Sequence, residues 1–154
     1  MDFVAEIDEA KAALCQLGVE RQPDRLSWAF DTLTDAGILL TAASRGLHEH
    51  DFRHFAIPRA LASFEQLDQD LLDESANPFV QYFTDHAIPR LRDEPPRAVG
   101  LTISYVSQLV PALTLARLIR QHLGATPIVL GGAYLTAIAD QIGNLPSAVA
   151  GADA

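Results

Sequence analysis

The stretch Ala98-Val99-Gly100-Leu101-Thr102-Ile103-Ser104, the run from Leu109 to Leu123, and Pro127-Ile128-Val129-Leu130-Gly131-Gly132 together decide the fold. The first and last pieces are short, mostly apolar and bounded by turn residues, which is how buried strands read. Between them, Leu109, Ala112, Leu113, Ala116, Ile119 and Leu123 recur at helical spacing, while Thr114, Arg117 and Gln121 take the other side. Gly124 is placed to end this helix. After Gly131-Gly132 a final helix is predicted from about Tyr134 to Ile142. Such a strand-helix-strand-helix unit closes by a right-handed crossover onto a parallel sheet, so the predicted class is α/β.

Upstream, the chain reads as helical. Phe3, Ile7, Ala10, Leu14 and Leu17 mark a first helix, capped by Asp2 and ended by Gly18. A second is predicted to start at Asp24, bury Leu26, Phe30 and Leu33, and end near Gly37. Residues 38–43, Ile-Leu-Leu-Thr-Ala-Ala, are too short an apolar run to separate a buried strand from a continued helix, and both readings stand. Residues 44–57 are polar and rich in histidine. Pro58, Leu61, Phe64, Leu71 and Leu72 suggest a third helix running into the acidic residues Asp68, Asp70, Asp73 and Glu74, read as its exposed end. Asn77 caps a fourth, with Pro78 in its first turn, where a missing N–H costs nothing. Phe79, Val80, Phe83, Ala87 and Leu91 form its buried stripe, and Pro89 should kink or restart it near Ile88. A parallel sheet needs both faces covered. Residues 1–76 are accordingly expected to form a mainly helical part packed on the sheet built by residues 77–154, in one structural domain.

Size and composition limit the function. With 154 residues the chain has room for one sizeable core and no second catalytic domain. A formal charge of -9 and eleven scattered basic residues argue against nucleic acid as a partner. Cys15 is the only cysteine, so this chain alone can build neither a disulfide framework nor a thiolate-held cluster. The N-terminus opens Met1-Asp2-Phe3 rather than with a basic segment, and no apolar run is long enough to span a bilayer. A cytoplasmic protein without membrane contact is expected.

In open parallel sheets, ligands settle at the carboxyl ends of the strands. Here those ends are Ser104-Tyr105-Val106-Ser107-Gln108 and Gly131-Gly132-Ala133-Tyr134. Paired glycines after a strand either admit a close-lying ligand or simply make a tight turn. Ser107 reads as an ordinary helix cap. His48, His50, Asp51 and His54 are metal-competent residue types, but their spacing fits no single strand or helix face, so a solvated loop is the simpler reading and no metal site is expected. Neither a Gly-x-Ser-x-Gly elbow nor a phosphate loop ending in Gly-Lys-Ser/Thr occurs.

Asn77-Pro78-Phe79-Val80-Gln81-Tyr82-Phe83, Ile88-Pro89-Arg90, the span Val99 to Arg120 and Val129-Leu130-Gly131-Gly132 together resemble the N-terminal domain of cobalamin-binding radical S-adenosylmethionine proteins. The likeness is to those that mature peptide natural products, and covers residues 77–142. It implies a small doubly wound, flavodoxin-like sheet with additional N-terminal helices. It further implies that Ser104, Tyr105 and Gln108 lie beside a corrin, and Gly131, Gly132, Ala133 and Tyr134 beside its nucleotide tail. The partner implied is a radical S-adenosylmethionine catalytic domain or subunit.

The chain departs from that pattern in three places. No Asp-x-His-x-x-Gly string occurs, so a lower histidine ligand to cobalt is not expected. The chain opens with a helix where the family opens with a strand and a proline-rich phosphate loop. It stops at Gly151-Ala152-Asp153-Ala154, where relatives continue through Gly-Glu-Gly to three cysteines, so the final strand is expected to be cut or missing and no iron–sulfur cluster belongs to this chain. The function expected is that of a cobalamin-binding accessory domain without catalytic residues, serving methyl transfer or another radical modification. The alternative is a cofactor-free interaction or regulatory module on the same fold. An unpaired sheet edge predicts self-association, with a homodimer as the simplest form.

Overall fold

A computed structural model describes residues 2–16, 18, 21–51, 55–58, 60 and 62–144. The chain is α/β, with two small sheets among the described residues, and divides into two compact units, Met1–Ala56 and Ile57–Ala154.

In the first unit, α1 (Phe3–Cys15) begins at Asp2, whose carboxylate accepts from the Val4 amide at 3.1 Å. It packs on α2 (Pro23–Ala43) through Ala10, Ala13 and Ala29, all fully buried, with Leu14, Trp28 and Leu33 around them. Small side chains at the contact let the two backbones approach closely. Asp24 is not the cap of α2, as Gln22 holds that position without a side-chain bond and Asp24 lies in the first turn.

Helix α2 does not stop at Gly37; it runs on to Ala43, which settles residues 38–43 as helix. The glycine has a packing reason. A Cβ there would stand 3.2 Å from the His50 carbonyl oxygen and 3.4 Å from the Asp51 Cα. The segment it admits is an antiparallel pair, β1 (Glu49–His50) and β2 (Phe55–Ala56). Thr41 Oγ1 ties it down, accepting from the His50 amide at 2.7 Å and donating to the His50 carbonyl at 3.2 Å. Ser44 Oγ donates to the His48 carbonyl at 2.9 Å. Leu17 and His54 lie outside the described residues.

In the second unit, α3 (Phe64–Leu72) starts at Ser63, whose hydroxyl accepts from the Gln66 amide at 3.1 Å. Leu61 lies outside the described residues. Grouped by sequence with the N-terminal part, α3 packs against α5 (Leu109–Leu123), and Arg117 Nη1 donates to the Leu71 carbonyl at 2.6 Å. The acidic run is not uniformly exposed, because Asp70 is fully buried and accepts from Gln66 Nε2 at 3.2 Å. Its position explains this: Leu67, Asp70 and Leu71 fall at i, i+3 and i+4 on the buried side of α3. Asp73 instead accepts from the Ser75 and Ala76 amides, turning the chain toward Asn77.

Helix α4 (Pro78–Asp93) is capped by Asn77 and continues through Pro89 without a restart. The lost backbone bond is offset by packing, since Ile88 is buried and Leu91 joins the same cluster. Asn77 itself is fully buried, with Oδ1 accepting from the Phe79 amide at 3.1 Å and Nδ2 donating to Thr114 Oγ1 at 2.8 Å.

Strands β3 (Val99–Thr102) and β4 (Ile128–Gly131) pair in parallel, Val99 opposite Ile128 and Thr102 opposite Gly131, with α5 as the crossover. Val99, Leu101, Ile128 and Leu130 join Ile88, Ala116, Leu118 and Ile119 in one core. Strand alternation therefore sends Gly100, Thr102, Val129 and Gly131 to the other face. Gly124, at φ +62°, ends α5. The predicted last helix is shorter: α6 spans Ala133–Ala137, followed by a 3₁₀ segment, Ala139–Asn144. Within α6 only Leu135 is buried, and a helix lacking an apolar stripe has little packing to extend it. Residues 145–154, where a last strand is expected to be cut or missing, lie outside the described residues.

Candidate functional site

The two loops singled out by sequence meet at the carboxyl edge of β3 and β4. The Ile103 amide donates to the Gly131 carbonyl at 2.7 Å, and the Tyr134 amide donates back to the Ile103 carbonyl at 3.1 Å. Ser104, Tyr105, Gln108, Gly131, Gly132, Ala133 and Tyr134 are thereby gathered on one edge of the sheet by consecutive backbone bonds.

The β3–α5 loop is closed by one side chain. Gln108 Oε1 accepts from the Ser104 amide at 2.7 Å and from the Tyr105 amide at 3.2 Å. Its own amide donates to the Tyr105 carbonyl at 3.0 Å. Ser107 is not the cap; it lies within a 3₁₀ turn, Val106–Gln108, that leads into α5. The fixed turn leaves the Tyr105 side chain outside, 71% exposed.

The two glycines differ in role. Gly132 has φ +113°, and a Cβ there would fall within 2.8 Å of the Ile103 amide nitrogen, so this glycine is required by the chain's own packing. Gly131 has no positive φ, and among the described residues nothing comes within 4 Å of a Cβ placed on it. Its missing side chain leaves open space on the exposed face.

The histidine run assembles only in part. The rings of His48 and His50 have centroids 4.8 Å apart, edge to face, and both lie against Phe55. Asp51 is exposed, and among the described residues no group of three or more metal-competent side chains converges. Burial lowers the pKa of both histidines, and for His50 the neighbouring His48 adds to the effect. Near neutral pH the pair is an uncharged aromatic cluster. Elsewhere, a small cleft between α3, α4 and α5 is lined by Leu71, Glu74, Val80, Thr114, Arg117 and Gln121, away from the strand ends.

Among the described residues no helix is long and apolar enough to cross a membrane. No family model, no curated protein and no solved structure matches this chain.

Proposed function

We propose that this chain is a cobalamin-binding accessory domain of flavodoxin-like, doubly wound type, working in the cytoplasm beside a radical S-adenosylmethionine catalytic domain or subunit. The observation that carries the proposal is the carboxyl edge of the parallel pair, where no described residue comes within 4 Å of the position a Cβ on Gly131 would take. Ligands of open parallel sheets settle at that edge. The residues suit a bulky flat ring: a firmly turned loop presents an exposed tyrosine, and the facing loop has no side chain at Gly131.

In this reading Ser104 and Tyr105 face the corrin from the loop that Gln108 closes, and Gly131, Ala133 and Tyr134 lie beside the nucleotide tail. Gly132 serves the turn that places them. No histidine stands among these residues, so the loops would offer a bound cobalamin no imidazole. The cofactor would supply methyl transfer or another radical modification to the partner enzyme. This chain's own residues bind and orient.

A second reading, a cofactor-free interaction module, is favoured by Val129, 57% exposed on the sheet face turned away from α4 and α5. The two separate on one experiment. The protein is mixed with hydroxocobalamin and desalted, and the visible spectrum is recorded. Corrin absorbance that stays with the protein supports the first reading, and its complete loss removes it.

A further inference from the structure

We infer that Gln108 is a positioning residue, whose side chain fixes the β3–α5 loop so that Tyr105 stands out from the strand end as a rigid platform for a flat ring. The functional half of this inference rests on the proposed cobalamin reading. Three observations support it. Gln108 Oε1 takes both the Ser104 and the Tyr105 amides, and the Gln108 amide closes on the Tyr105 carbonyl, so the turn is held from both directions. Gln108 is itself exposed, so apolar burial does not order the turn and its order depends on these three bonds acting together against competing water. Tyr105 is among the most exposed large side chains of the described residues, yet it sits on a turn whose backbone is bonded on both sides.

An exposed aromatic ring on an ordered backbone presents apolar area at small entropic cost, because only two side-chain torsions remain to be fixed. A ring on a loose loop lacks that advantage. Gln108 thus contributes through the loop rather than by touching the ligand. Only a side chain with a terminal acceptor at this reach can do so: glutamate keeps the acceptor, and leucine keeps the size without it.

The test compares the full chain with Gln108→Leu and Gln108→Glu by amide hydrogen exchange and by hydroxocobalamin retention. In Gln108→Leu, exchange at Ser104 and Tyr105 should quicken roughly tenfold, as expected for the loss of a hydrogen bond. The Ile103 amide, bonded to Gly131, should stay unchanged and so shows that the sheet is intact. Gln108→Glu should protect both amides as the native residue does and should retain corrin, whereas Gln108→Leu should retain several-fold less. Unchanged exchange in Gln108→Leu overturns the tie, whatever binds. Equal retention by all three proteins overturns the positioning role. If the native chain retains no corrin, the cobalamin reading falls and the platform loses its ligand, while exchange still decides the tie.

Discussion

Gly132 and Ile103 touch backbone to backbone: a Cβ on Gly132 would lie 2.7 Å from the Ile103 carbonyl carbon and 2.8 Å from its amide nitrogen. This contact seats the β4–α6 turn on the end of β3. Gly132→Ala should therefore destabilise the second unit by about 3 kcal/mol, combining the unfavourable φ with the clash. Gly131→Ala, with open space around it, should change stability by less than about 1 kcal/mol. Urea titrations followed by far-ultraviolet circular dichroism would measure both. Equal effects at the two glycines would contradict the division of roles.

Asn77 joins the start of α4 to α5 by capping one and bonding Thr114 of the other. Asn77→Ala removes a cap and a buried bond together, and should cost about 2–3 kcal/mol. Asn77→Ser keeps a capping oxygen and should lose roughly half as much. A thermal melt of the three proteins should rank them native, Ser, Ala.

The pair of histidines gives the first unit a pH dependence of definite sign. Their folded pKa values lie below the ordinary value, so the stabilisation is fully present above about pH 6.5 and is lost as pH falls through the lower folded values. Trp28, the only tryptophan, borders the α1–α2 core and reports on this unit. Denaturation followed by its fluorescence should show lower stability at pH 5 than at pH 7.5. In a His48→Gln/His50→Gln double variant that difference should shrink.

Much of the second unit was legible in the sequence. Val99–Thr102 and Ile128–Gly131 are apolar and short, and Asn77, Pro78 and Gly124 stand where helix ends require them; the apolar stripe of α5 is legible too, but Thr114, read as lying on its other side, is buried where it meets Asn77. Elements held by distant partners were harder to read. Gly37 looks like a helix end until the His50 backbone beside it is known, and Asp70 looks solvated until Leu67 and Leu71 are seen to share its buried side. Pro89 breaks a helix in isolation, but Ile88 and Leu91 hold this one to the core. At the candidate site, sequence pointed to both loops. The tie made by Gln108 and the different duties of Gly131 and Gly132 depend on backbone positions that no local pattern reveals.

Binding of the cofactor at the open face beside Gly131 is the step on which the proposed function turns. Its most direct measurement is corrin absorbance retained after desalting by the native chain and by Gly131→Trp, with circular dichroism confirming that both are folded. Near-stoichiometric retention by the native chain is expected, with loss in Gly131→Trp, where an indole fills the space. A native chain that emerges colourless, or a Gly131→Trp protein that retains as much corrin as the native one, would contradict it.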